Sequence, residues 1–266
     1  TEGLTNRTYD FSVDVNPARA GGLHNNGTIG ANAGDTVHFA PGVFGSAINL
    51  TQPVPADASK AVVYVPDNTT LTTTIEIIDE ASICFWMKAK LSDNNGIDIH
   101  IISKIGSVGS SKYFFQKGAS LFMWRVGDPS ATTATFATAE SEIFNNNWHF
   151  ICGTRNASHV TAWFDGAQDA STADTPTSAE NNGIFCVGSI SSPTSCGASS
   201  SLFNGSIDEV MFFNRSISKE EIKNLYKRGA LRLNLSARSC DDSACSGEAY
   251  NSYPINFSGN NILNGT

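Results

Sequence analysis

Charge is scarce in this chain: Asp, Glu, Lys and Arg make up only 16% of its 266 residues, and no stretch gathers the basic ones. A net charge of −8 spread so thinly offers no footprint for nucleic acid or an anionic membrane surface, so neither is expected as a partner. Long apolar runs are missing as well. None approaches the ~20 residues that cross a bilayer, so no membrane insertion is expected. The start, Thr1-Glu-Gly-Leu4, is no signal peptide, and any targeting segment is expected to have been cleaved or left out. Reactive clusters are equally absent. His24, His38, His100, His149 and His159 stand apart, without an H-E-x-x-H or H-x-H pair. No C-x-x-C spacing suggests zinc, and no G-x-S-x-G turn suggests a serine nucleophile. An enzyme is not expected.

What is present is a 40% hydrophobic share, enough for a sizeable core, set in abundant Asn, Ser, Thr and Gly. Short apolar runs bounded by turn residues recur at 9–15, 37–39, 47–50, 61–65, 75–78, 82–88 and 99–104. Others follow at 112–116, 120–126, 133–138, 148–154, 160–164, 184–188 and 206–213. That rhythm is the mark of an all-β sandwich. In Val160-Thr-Ala-Trp-Phe164 the residues Val160, Ala162 and Phe164 share one face and Trp163 the other, and Asp165-Gly166 supplies a hairpin turn.

One segment has clear helical signals. Ser218 and Glu221 form a capping box, and Ile217 and Ile222 occupy the staple positions. Ile222, Leu225 and Tyr226 make the apolar stripe. Lys227 and Arg228 favour the carboxyl end of the dipole, and Gly229 suits the C′ position.

Six cysteines agree with an oxidising compartment. They permit fifteen pairings, but Cys186 and Cys196 flank one small loop and Cys240 and Cys245 another. Cys84 and Cys152 then remain, and they pair if their two strands are neighbours. Asn-x-Ser/Thr sequons begin at Asn6, Asn26, Asn49, Asn68, Asn156, Asn204, Asn214, Asn234, Asn256 and Asn264. If used, they place glycans on a secreted or cell-surface protein; otherwise they are by-products of composition.

The order of motifs carries a family resemblance. Phe203-Asn-Gly-Ser-Ile-Asp-Glu-Val, running through Asn214-Arg to Leu225-Tyr226, resembles the closing segment of the laminin-G-like (concanavalin A-like) jelly roll. Upstream, Gly45-Ser-Ala-Ile-Asn-Leu50, Val63-Tyr-Val-Pro-Asp67, Ile83-Cys-Phe-Trp-Met-Lys88 and Trp148-His-Phe-Ile-Cys152 followed by Ala162-Trp-Phe-Asp-Gly166 resemble family strands in the same order. The resemblance implies a two-sheet antiparallel sandwich over residues 1–229, closed by one short helix. Residues 230–266 are left as a β extension. With two strand-like runs, it is too small to bury its own core. It packs on the sandwich, begins a second β-domain, or pairs with a neighbouring subunit.

The resemblance also implies a structural Ca²⁺ where first and last strands meet, held by Asp208 with Asp10 or Asp14 and backbone carbonyls. The alternative is that Asp208 and Glu209 end strand hydrogen bonding or pair with Arg215. Glycosidases of this fold carry E-x-D-x-x-E, and Glu76-Ile-Ile-Asp79-Glu80 departs from it. Trp86 and Trp148 match core positions of the family and are expected to be packing residues. Trp124 and Trp163 are expected on an accessible face, where sugar rings stack. The expected function is an extracellular recognition or adhesion module for glycans or surface glycoproteins. The rival is a glycosylated subunit of a surface layer or filament that self-associates through its terminal strands.

Overall fold

The computed structural model describes residues 9–11, 25–30, 36–51, 62–65, most of 77–230, and two strands at 233–237 and 251–255. In chain order the strands are β1 (Tyr9–Phe11), β2 (Asn25–Gly30), β3 (Thr36–Pro41), β4 (Ser46–Thr51), β5 (Val62–Val65) and β6 (Ala81–Lys90). They continue as β7 (Ile99–Ile105), β8 (Lys112–Lys117), β9 (Phe122–Gly127), β10 (Thr132–Thr135), β11 (Asn145–Arg155) and β12 (His159–Phe164). The last are β13 (Ala167–Ala173), β14 (Phe185–Val187), β15 (Gly205–Phe213), β16 (Leu233–Ala237) and β17 (Asn251–Ile255). A single helical turn, α1 (Glu140–Ile143), precedes β11, and the helix α2 (Lys219–Ala230) follows β15.

Two antiparallel sheets face each other. One runs β1-β2-β5-β14-β7-β8-β9-β10, the other β13-β12-β11-β6-β15-β4-β3. The expected jelly-roll sandwich is therefore present. The extra strands β16 and β17 pair with each other in a separate two-stranded sheet.

Period-two alternation builds the core. Ile83, Phe85 and Met87 of β6 turn inward with Ile151, Ala162, Ile207 and Phe212, against Ile102, Tyr113, Phe115 and Trp124 of the other sheet. Trp124 is fully buried, stacks on Phe115 at 4.6 Å, and donates its indole N–H to the Thr154 carbonyl at 3.3 Å. Gly153 makes room for it: a Cβ there would lie 2.6 Å from the Trp124 ring and 2.7 Å from Phe115. The expectation that Trp124 lies on an accessible face is thus corrected, because its face of β9 is the one the opposite sheet covers.

The Asp165-Gly166 turn joins β12 to β13 with φ of 48° and 78°, the left-handed pair that suits a tight hairpin. Strands β2 and β13, and the turn α1, had no strong sequence signal. Two disulfides form as expected, Cys84–Cys152 between adjacent strands and Cys186–Cys196 across the loop after β14. Cys240 and Cys245 lie outside the described residues.

Candidate functional site

The outer face of the seven-stranded sheet divides into two halves. At one end Cys84, Trp86, Phe150, Cys152 and Trp163 form a second apolar cluster with Val43, Ile217 and Ile222. Helix α2 lies on it. Ser82 anchors the approach, accepting the Ile217 N–H at 3.0 Å and donating to the Arg215 carbonyl at 2.9 Å. The capping box is made: Ser218 N–H donates to Glu221 Oε2 at 2.8 Å, and Glu221 N–H to Ser218 Oγ at 3.3 Å. Arg215 holds Glu221 bidentately at 3.0 and 2.6 Å. That hydrogen-bonded guanidinium, with the Ser218 N–H, draws the Glu221 carboxyl down to about 2. Arg215 is thus the partner of Glu221, not of Asp208 or Glu209.

Gly229 does not end the helix as expected. It lies inside α2, buried, where a Cβ would come 2.7 Å from Trp86 Cε2 and 2.8 Å from Val43 Cγ1. Close approach of helix to sheet, not a left-handed cap, requires glycine there. Trp163 is buried in the same cluster at 7% exposure and donates to Thr154 Oγ1 at 3.0 Å. Its expected accessibility is corrected as well: it does face away from the core, but the apolar cluster covers it.

The other half of the face is open. Backbone register aligns Trp148 with Lys88, Lys88 with Ser206, and Ser206 with Asn49. Four neighbouring strands, β11, β6, β15 and β4, thus present one row across about 14 Å, at ~4.8 Å per strand. The row floors a groove of about 400 Å³, with Lys90, Asp93, Asn146 and Asn204 among its walls. This volume falls within the range of small-ligand sites, about 300–1,000 Å³. Two irregularities frame it. Pairing of β11 with β6 slips between Asn145 and Trp148, where Asn146 has φ of 68°. Pairing of β15 with β6 slips between Asp208 and Met211, where Glu209 has φ of 48°. Such bulges re-aim side chains and bend strands beside sites. Chemically, the groove combines two ammonium groups, the Asp93 carboxylate, three amides, the Ser206 hydroxyl and the indole of Trp148, which is half-buried at the groove and not enclosed in the core as its family position implied.

Asp208 stands at the border between the halves, opposite Trp86. Its Oδ2 accepts the Phe44 N–H at 2.9 Å and its Oδ1 accepts its neighbour Glu209 N–H at 2.9 Å. Burial raises its carboxyl above the ordinary value, and hydrogen bonds from Phe44, Val43 and Glu209 partly offset this. Glu209 is raised too, by burial and then by the Asp208 charge. Asp208 therefore clasps the β3–β4 turn. Asp10 lies on β1, at the edge of the other sheet, and Asp14 is outside the described residues. No group of three His, Cys, Asp or Glu side chains gathers as a metal site among the described residues.

Of the sequons, Asn49 and Asn204 open into the groove. Asn156 lies in the β11–β12 turn, its Oδ1 accepting the Ser158 and His159 N–H groups at 2.9 and 2.8 Å. Asn214 is exposed between β15 and α2. Asn26 and Asn234 fall on β2 and β16, while Asn6, Asn68, Asn256 and Asn264 lie outside the described residues. The groove itself was not foreseen. Its one sequence signal is Lys88, a cation at the position where Cys84 and Trp86 set an apolar alternation.

Two facing antiparallel sheets, a capped closing helix and an open polar groove define a jelly-roll β-sandwich. The chain belongs to the concanavalin A-like lectin/glucanases superfamily, whose Laminin_G_3 model matches residues 57–223. No curated protein matches it. Similar solved structures include the binding domain of Paraclostridial Mosquitocidal Protein 1, at 16% identity and TM-score 0.57, covering 76% of this chain and 48% of that one. The receptor binding domain of botulinum neurotoxin D is similar at 16% identity and TM-score 0.56, covering 80% and 50%. So is the botulinum neurotoxin serotype D ligand binding domain in complex with N-acetylneuraminic acid, at 16%, TM-score 0.55, 80% and 48%. Likeness at this identity speaks for the fold. This chain spans about half the length of these structures. No helix among the described residues is long and apolar enough to cross a membrane.

Proposed function

We propose that this protein is a non-catalytic recognition module that binds glycans in the groove formed by Trp148, Lys88, Ser206 and Asn49, with acidic sugars preferred. The cross-strand row carries the reading. An indole offers a π-face to sugar C–H groups, and the flanking amides and the Ser206 hydroxyl suit sugar hydroxyls. Lys88 supplies a cation at the centre of the row, in a protein whose net charge is −8. Similar solved structures are binding domains, one of them in complex with a sialic acid, and this supports binding over catalysis. Two disulfides support an oxidising, extracellular or cell-surface setting, one in which sequons can be modified.

A glycan array tests this directly. Acid-capped oligosaccharides bind above their neutral parents, and Trp148→Ala abolishes the signal. Trp148 also packs against the apolar cluster, so Lys88→Gln is the second variant and loses only the acidic preference. Silence across the array overturns the proposal.

One observation favours the filament reading: among the described residues β16 and β17 pair only with each other, and each has an outer edge without a described partner strand, the kind of edge that strand addition uses. A protein that stays monomeric in dilute solution speaks against it.

A further inference from the structure

Two sequons far apart in the chain meet at the groove. Asn49-Leu-Thr51 lies on β4 and Asn204-Gly-Ser206 leads into β15, and the two strands pair with Ser206 opposite Asn49 and Gly205 opposite Leu50. Asn49 belongs to the row itself, and Asn204 stands in the wall. The main chain of Asn204 is pinned, because Asn94 Nδ2 donates to its carbonyl at 2.7 Å and its N–H donates to Asn94 Oδ1 at 2.9 Å. The backbone from which anything attached to its side chain would extend is therefore held in the groove wall.

The other two sequons with described side chains lie elsewhere. Strands β11 and β15 both run antiparallel to β6, and both begin at its Lys90 end, where the groove is. Asn156 follows the last residue of β11 and Asn214 the last residue of β15, at the Ala81 end. Asn156 lies eight residue steps beyond Trp148 along β11, roughly 26 Å at ~3.3 Å per residue.

From this placement we infer that Asn204 is an N-glycosylation site whose glycan fills the groove, so that modification there closes the binding site. The inference rests on the groove being the glycan-binding site. Transfer forms a bond from Asn204 Nδ2 to the anomeric carbon of a lipid-phosphate-linked oligosaccharide. It breaks that carbon's bond to the phosphate oxygen, releasing the lipid phosphate and one amide proton. Asn49, next to it, closes the groove in the same way if modified. Glycans on Asn156 and Asn214 leave it open.

The test compares the full chain secreted from a glycosylating host with the same chain from the periplasm of a bacterium without N-glycosylation. Peptide mass spectrometry reads occupancy at each asparagine, and binding is measured to an immobilised sialylated oligosaccharide. The inference expects Asn204 to be occupied and the modified chain to bind at least tenfold more weakly. A Ser158→Ala/Ser216→Ala variant, lacking both distal sequons, remains equally weak from the glycosylating host. An unmodified Asn204, or equal binding by occupied and unoccupied chains, overturns it. If the unmodified chain binds no glycan while Asn204 is occupied, the groove-receptor reading fails, and the gate fails with it as a device although the modification site stands.

Discussion

At the Ala81 end of β6 the outward residues Cys84 and Trp86 lie under α2, while at the Lys90 end Lys88 and Lys90 line an open groove. Both pairs share one strand and one face. What separates them is what the rest of the chain lays on top. The covered half is fastened by the Ser82 hydrogen bonds, the Cys84–Cys152 disulfide and a glycine that lets the helix touch Trp86. The open half has no such lid among the described residues, and its side chains are those that hydrogen-bond, carry charge or stack. One surface of one sheet thus serves stability at one end and lines a polar groove at the other.

Breaking the covered half gives the largest effect. Trp86→Ala removes the ring that meets Phe150 and stacks on Tyr226 at 5.8 Å, and it is expected to cost about 3–5 kcal/mol in denaturant unfolding. A loss below about 1 kcal/mol would mean that α2 contributes little cover. Removing the cap is gentler. Ser218→Ala is expected to cost about 1 kcal/mol. Its partner Glu221 gives that region a pH signature. Because the folded carboxyl lies below the ordinary 4.5, its contribution is complete above that pH and disappears as pH falls through about 2. The pair is largely exposed and solvent-screened, so Glu221→Gln changes stability by no more than about 1 kcal/mol at neutral pH, and the difference vanishes near pH 2. The smallest effect falls in the open half: Lys88→Ala is expected to shift stability by less than about 0.5 kcal/mol. A large destabilisation there would show Lys88 to be structural and erase the contrast.

What the sequence disclosed follows distance along the chain. The capping box spans four residues, the Asp165-Gly166 turn two and the Cys186–Cys196 loop eleven, and each formed as its local chemistry demanded. Strand β13 escaped notice because Ala167-Gln-Asp-Ala-Ser-Thr-Ala173 carries no apolar alternation, and its pairing with β12 holds it in the sheet. Trp124 and Trp163 each alternate correctly. Alternation states which residues share a face, and it is silent on what covers that face. For Trp124 the cover is the opposing sheet, and for Trp163 the cluster beneath α2. Gly229 sat at a plausible helix end by spacing, yet its true demand comes from Trp86, far away in sequence.

The amino-acid order by itself determined the sandwich class, the capped closing helix, the hairpin at Asp165-Gly166 and the local disulfide, because each depends on a periodicity or a turn spanning few residues. Only the tertiary structure decided that Trp148, Lys88, Ser206 and Asn49 stand in one row, and that the sequons at Asn49 and Asn204 open into one groove. Those neighbours come from four strands whose register is set by pairing and two bulges, so no local stretch contains the information that brings them together.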